Sequence, residues 1–247
     1  MISTSQTAGI EGDKPMHTGR QAAIIVGIFY ILAAVTAVLG LIFYGPILNG
    51  PSYLVQGAEH KNLVLLGAVM ELILVGSAIG TAVGLFPFLR KYNESLALWY
   101  LCFRFLEAIL VTVGIVSVLS LLSLSQTFVA TASSNVAAFQ ASGTLLIAVH
   151  SWTFLLGPDF MLGISTMTYS YLFYQSRLVP RWLAILGMTG ATLVFLAALL
   201  EMFGVISQVS VWGALLALPV AVYEMTLAVW LIIKGFNPSA IASGSAE

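Results

Sequence analysis

Three ionisable residues stand inside long apolar runs of this sequence, where charges are rare. Arg104 and Glu107 lie one helical turn apart in the run from Ser95 to Leu124, and Glu224 follows Pro219 in the last apolar run. An ionisable side chain in the middle of a bilayer costs roughly 3 kcal/mol on insertion scales, so such residues are usually paired and often functional. The pattern therefore predicts a polar site inside a membrane protein.

The depth of these residues predicts that they meet. At a rise of about 1.5 Å per residue, Arg104 and Glu107 lie roughly 20 Å from the boundary marked by Lys91, and Glu224 lies about 15 Å from the end of its own run. Tyr100, Arg104 and Glu107 share one helix face through their spacing of three and four residues. We expect Arg104 to pair with both carboxylates, and one carboxylate to hold a proton because a single cation faces two acids.

Two roles fit this constellation. In a ligand site, Arg104 would anchor an anionic group, Glu107 and Glu224 would tune it or carry protons, and Tyr100 would line the pocket. In a structural role, the same charges would only pin the third and sixth apolar runs together. The residues themselves leave both roles open.

A second polar group is predicted near one membrane surface. Its members are Glu71, His150, Asp159 and Glu201. Each lies about 30 Å or more from its basic anchor, at or near the headgroups. Carboxylates and a histidine can bind a divalent cation, but the spacing matches no metal motif. We therefore predict a solvated or hydrogen-bonded rim and no metal site.

Six segments have the length of about 20 apolar residues that a membrane helix needs. They are Gln21–Tyr44, Asn62–Leu89, Ser95–Leu124, Thr144–Tyr174, Arg181–Val205 and Val209–Ile233. Gly157-Pro158 interrupts the fourth segment, which predicts a kink in one span rather than two separate spans. The predicted fold class is all-α, a polytopic transmembrane helix bundle of six spans.

The composition of the chain is that of a membrane protein. Hydrophobic residues make up 60% of the chain and charged residues 8%, against about 25% charged residues in soluble domains. The net charge of -1 argues against nucleic acid as a partner.

Basic residues gather in alternate connections, which predicts that both termini are cytoplasmic. Residues 1–20 and 237–247 are predicted to be cytoplasmic tails, the first disordered, around a membrane domain of residues 21–236.

Three glycines predict a close helix contact in the second span. Gly76, Gly80 and Gly84 recur at every fourth residue, so another backbone can approach closely. That backbone belongs either to another span of the same chain or to a second copy in a homodimer. The sequence leaves both alternatives open.

Other chemistry finds no support in the sequence. Cys102 is the only cysteine, which excludes an internal disulfide. The chain contains no phosphate loop, no His-Glu-x-x-His and no nucleophile elbow. Of its three histidines only His150 lies on a predicted span. We therefore predict no cofactor.

Several stretches together resemble a known family. They are Phe103-Arg104-Phe105-Leu106-Glu107-Ala108, the run from Ser176 to Leu183, Leu218-Pro219 followed by Glu224, and the run from Trp230 to Gly235. In this order they are similar to the bacterial membrane family catalogued as domain of unknown function 4386. The resemblance implies a single domain of about six spans, and it implies neither an activity nor catalytic residues.

These observations favour an inner-membrane protein that binds or transports a small or lipid-like ligand through an interior polar pocket. A second interpretation is a structural or accessory subunit, held in a homodimer or membrane complex by the glycine face of the second span. A third is an intramembrane enzyme that uses the second polar group, and a zinc version of that enzyme would require stoichiometric zinc.

Overall fold

The computed structural model describes residues 14–131, 135–207 and 210–243, and every regular element in these ranges is helical. Within these ranges six helices are long and apolar enough to cross a membrane, which agrees with the predicted all-α fold and its six candidate spans. In chain order, spans 1 to 6 are Gly19–Phe43, Lys61–Leu89, Glu94–Thr131, Val136–Ser176, Arg181–Met202 and Val211–Ile233.

The helices extend beyond the predicted boundaries at several points. In chain order they are α1 (Lys14–Phe43), α2 (Gly45–Leu48), α3 (Tyr53–Glu59), α4 (Lys61–Leu89), α5 (Glu94–Thr131), α6 (Val136–Phe154), α7 (Leu162–Ser176), α8 (Arg181–Met202), α9 (Val211–Ile233) and α10 (Pro238–Ser243). Helix α1 begins at Lys14, so the end of the predicted N-terminal tail is helical. Residues 1–13 and 244–247 of the predicted tails lie outside the described ranges.

Span 4 is one long helix with a π-helical turn in the middle. The turn covers Leu155–Met161 and joins α6 to α7. Pro158 has no N–H to donate to the preceding turn, and a π-helical turn is a common way for a helix to absorb such a defect. The kink predicted at Gly157-Pro158 is therefore a change of helix type inside one continuous span.

Both described ends of the chain lie at the same end of the molecule, which we call the terminal end. A core to which all six spans contribute closes this end. The fully buried members include Tyr30, Leu85, Tyr100, Tyr169, Leu183 and Leu227. Arg20 strengthens this closure because its Nη1 donates to the Leu231 carbonyl at 3.0 Å and its Nη2 to the Ile232 carbonyl at 2.7 Å. These carbonyls end span 6 and lack helical partners.

The opposite, distal end has a smaller core whose buried residues come from spans 2 and 3 and from the connection between spans 1 and 2, with Leu146 and Ile147 of span 4 packed against it. Helix α3 caps it. The Ser125 hydroxyl donates to the Leu54 carbonyl at 2.6 Å, and the Tyr53 hydroxyl donates to the Gln140 carbonyl at 3.2 Å. Spans 5 and 6 contribute no buried residue to this core. Open space therefore remains between them and the rest of the distal half.

Of the three glycines spaced four residues apart in span 2, two contact span 1 of the same chain. A Cβ at Gly84 would lie 2.5 Å from Val26, and a Cβ at Gly80 would lie 2.7 Å from the Phe29 ring. A Cβ at Gly76 would meet no described atom within 4 Å. Close intramolecular packing thus accounts for Gly80 and Gly84, and Gly76 faces outward.

Candidate functional site

A cavity of about 290 Å³ lies inside the protein, beside the distal core. Span 1 forms one wall with small and branched apolar side chains, and the opposite walls carry the ionisable residues. Its lining residues include Ala33, Ala37, Val38, Leu41, Glu71, Arg104, Glu107, His150, Phe154 and Glu224. The cavity therefore joins an apolar face to a charged one.

Arg104 and Glu107 form the central ion pair of this cavity. Arg104 is 2% exposed. Its Nη1 donates to Glu107 Oε1 at 3.1 Å and to Oε2 at 2.8 Å, and its Nη2 donates to Thr81 Oγ1 at 3.1 Å. The i,i+3 spacing places both side chains over the same turn of span 3. A buried ion pair of this kind stays charged only while both partners remain in place.

Glu224 lines the same cavity but does not form the direct ion pair with Arg104 that its depth suggests. Among the described residues, Arg104 has an ion pair with Glu107 alone. Glu107 and Thr81 are instead the hydrogen-bond partners of the two terminal nitrogens of the guanidinium. Oε1 of Glu224 is buried and has no hydrogen-bond partner in the described part of the chain. The carboxylate is therefore available to a molecule in the cavity.

Glu71 and His150 lie in this cavity too, so they are not part of a solvated rim. Glu71 is 7% exposed and His150 8% exposed. Glu71 packs against Gly40 of span 1, where a Cβ would lie 3.0 Å from its Cγ. His150 stands between the rings of Tyr44 and Phe154, with centroid distances of 5.9 and 6.3 Å. Two residues of the predicted outer group, Glu71 and His150, thus line the same cavity as Arg104, Glu107 and Glu224.

The other two outer residues, Asp159 and Glu201, line a second and wider cavity of about 680 Å³. It opens between the distal ends of spans 1, 5 and 6. Leu41, His150 and Phe154 border both cavities. The two cavities therefore adjoin at His150. Phe154 is the residue that directly precedes the π-helical turn. No group of three metal-binding side chains able to hold an ion occurs among the residues the structure describes.

Four tyrosines separate the cavity from the terminal end, and of these the sequence analysis names only Tyr100, which is not among the residues that line the cavity. Tyr30, Tyr100, Tyr169 and Tyr223 are each at most 1% exposed. Tyr169 contacts the other three rings at centroid distances of 6.3, 5.2 and 6.0 Å respectively. Tyrosine in membrane helices usually marks the interface, so only a count of tyrosines on inward helix faces could have indicated this layer.

The polar atoms left without a partner indicate what the cavity can bind. Besides Glu224 Oε1, the buried atoms without a hydrogen bond include Glu71 Oε2 and Arg104 Nε. Buried polar groups normally find a partner, and exceptions call for an explanation. Glu71 and Glu224 thus offer carboxylate oxygens to a bound molecule, and Arg104 offers the N–H at Nε.

The model of the family described as Domain of unknown function (DUF4386) matches residues 25–235, most of the chain. The chain belongs to the DUF4386 family. All residues that line the two cavities fall inside the matched range, so both cavities are part of the DUF4386 domain. No curated protein and no solved structure matches this DUF4386 protein.

Proposed function

We propose that this DUF4386 protein binds a small organic cation with an apolar body in its interior cavity and transports it within or across the membrane. The observation that carries the proposal is the charge of the cavity wall. Glu71, Glu107 and Glu224 line the cavity with Arg104 as the one cation among the described lining residues. Glu107 neutralises Arg104, and Glu71 and Glu224 form no ion pair within the described part of the protein.

A cation balances these two carboxylates better than an anion would. An unpaired charge is strongly disfavoured in a membrane interior, so a bound cation and the carboxylates stabilise each other. The role of Arg104 as an anion anchor stays a prediction, and its geometry supports it weakly because only Nε is free of a partner. We infer instead that Arg104 fixes Glu107 and limits the negative charge of the site.

The shape of the cavity suits a compact ligand with an apolar side. A volume of about 290 Å³ equals roughly ten water molecules at about 30 Å³ each. Ala33, Ala37 and Val38 of span 1 form the wall opposite the charges. Binding pockets for small molecules commonly combine an apolar lining with a few polar groups of this kind.

The ligand would enter from the distal side. The tyrosine layer and the six-span core close the terminal end, whereas the second cavity adjoins the first at His150 and leads outward. We infer from the basic connections that the terminal end faces the cytoplasm and that the protein lies in the inner membrane. Entry from the distal side would then mean entry from outside the cell or from the outer leaflet.

Binding of benzyltrimethylammonium to protein in lipid nanodiscs tests this proposal. Glu224→Gln keeps the size of the side chain and removes its charge, so we expect affinity for the cation to fall at least about tenfold. Affinity for neopentylbenzene, a neutral molecule of the same shape, should stay unchanged. Equilibrium binding of the labelled compounds measures both.

Glu94→Gln is the matched control, because Glu94 is an exposed carboxylate at the terminal end of span 3. It should bind both probes as the unmodified protein does. Equal affinity of the unmodified protein for the cation and its neutral analogue would overturn the proposal, as would an unchanged cation affinity in Glu224→Gln.

A further inference from the structure

A pocket of about 560 Å³, which is separate from the two cavities described above, lies at the terminal end beside the six-span core. It is bordered by the connection between spans 4 and 5 and by the end of span 6. Arg177, Arg181, Lys234 and Trp230 line it, and no described carboxylate does. The pocket is separate from the interior cavity, with which it shares no lining residue.

The backbone holds this basic pocket in shape. Arg177 ends span 4 with a φ of 56°, in the left-handed region, which turns the chain sharply toward span 5. Gly235 makes the corresponding turn after span 6 with a φ of 73°. The Asn237 N–H then donates to the Leu178 carbonyl at 2.9 Å, so the two turns are joined by a hydrogen bond.

The three cations of the pocket are not neutralised within the described part of the protein. None of them forms an ion pair there, and Arg181 instead lies over the Tyr174 ring at 4.9 Å. Such a concentration of guanidinium and ammonium groups with open space between them matches a phosphate group, to which both bind strongly.

An apolar groove continues from the pocket along the lipid-facing side of span 6. It has a volume of about 420 Å³, and Met225, Val229 and Ile233 line it. Trp230 and Lys234 border both the groove and the basic pocket. The Trp230 ring packs edge-to-face on Trp182 at 6.2 Å, an aromatic pair at the level where headgroups meet acyl chains.

From this juxtaposition we propose a binding site for an anionic phospholipid, with its phosphate in the basic pocket and one acyl chain in the groove of span 6. Basic pockets at the ends of membrane helices bind anionic headgroups in this manner. A zwitterionic lipid gains less, because its own ammonium is repelled by the three cations. The site does not depend on the function proposed for the interior cavity.

Lipid binding to the detergent-purified full-length chain tests the site. Phosphatidylglycerol and phosphatidylcholine with the same acyl chains are titrated, and the bound lipid is counted by native mass spectrometry. Arg177→Gln with Lys234→Gln should weaken phosphatidylglycerol binding about 25-fold, since each basic residue near an anionic surface contributes about a fivefold factor. Phosphatidylcholine binding should change little.

Two further variants make the result decisive. Arg90→Gln with Lys91→Gln removes the same charge from the connection between spans 2 and 3, outside the pocket, and should keep the preference for phosphatidylglycerol. Val229→Trp fills the groove, leaves all charges in place, and should still reduce tight binding. Equal losses in the two double variants, no preference for phosphatidylglycerol in the unmodified protein, or full binding by Val229→Trp would each overturn the proposal.

Discussion

Replacing Arg104 by Met is expected to destabilise the protein by about 3–5 kcal/mol, because Glu107 would remain as a buried and unpaired charge. The two groups are 2.8 Å apart and nearly inaccessible to solvent. Thr81 would lose little, since its hydroxyl still donates to the Ala78 carbonyl at 2.7 Å. Unfolding in mixed micelles, followed by tryptophan fluorescence, measures the change.

A double variant separates the effect of losing the whole ion pair from the effect of losing Arg104 alone. Arg104→Met combined with Glu107→Met removes both charges, and buried ion pairs replaced by apolar groups are often as stable as before. We therefore expect the double variant to recover most of the stability that the single variant loses. A single variant as stable as the unmodified protein would contradict the buried pair, and so would a double variant that is no better than the single one.

Gly84→Leu is expected to destabilise the contact between spans 1 and 2 by about 3 kcal/mol, the upper part of the usual range for overpacking. Its Cβ would lie 2.5 Å from the side chain of Val26, which is fully buried and has a stiff, branched side chain. The same unfolding assay reports the change.

Gly76→Leu is the matched control, because it introduces the same side chain on the same helix at a position with open space. Its stability should stay within about 0.5 kcal/mol of the unmodified protein. Gly76→Leu also tests the alternative of a homodimer or accessory subunit, which requires that the outward face of span 2 contact another chain. Loss of an oligomer or of a co-purifying protein in Gly76→Leu, without loss of stability, would favour that alternative.

The fold could be predicted from the sequence because hydropathy and helix length depend on each segment alone. The contact between Arg104 and Glu107 could be predicted for the same reason, since residues three apart on a helix are neighbours. Whether Glu224 reaches Arg104 depends on the rotation and the lateral separation of their two helices. The depth of a residue along the membrane normal gives no information about either quantity. The sequence therefore indicates the region of Glu224, but the ion pair predicted between Glu224 and Arg104 is absent from the described part of the protein.

The burial of Glu71 and His150 could not be predicted from depth either. A residue about 30 Å from one membrane boundary is exposed among the headgroups only if the neighbouring helices also end at that level. Spans 3 and 4 have 38 and 41 residues, so they continue well past that level. Helices α2 and α3 cover the same end, so Glu71 and His150 become part of the cavity wall.

The central claim, that the interior cavity accepts an organic cation, is tested most directly by a cysteine at Ala37, which lines the cavity on span 1. The exposed Cys102 is first replaced by Ser, so that Ala37→Cys is the only thiol. We expect a trimethylammonium methanethiosulfonate to label it at least about ten times faster than the sulfonate analogue, and benzyltrimethylammonium to slow this labelling. Equal rates for the two reagents, or labelling unaffected by the added cation, would contradict the account.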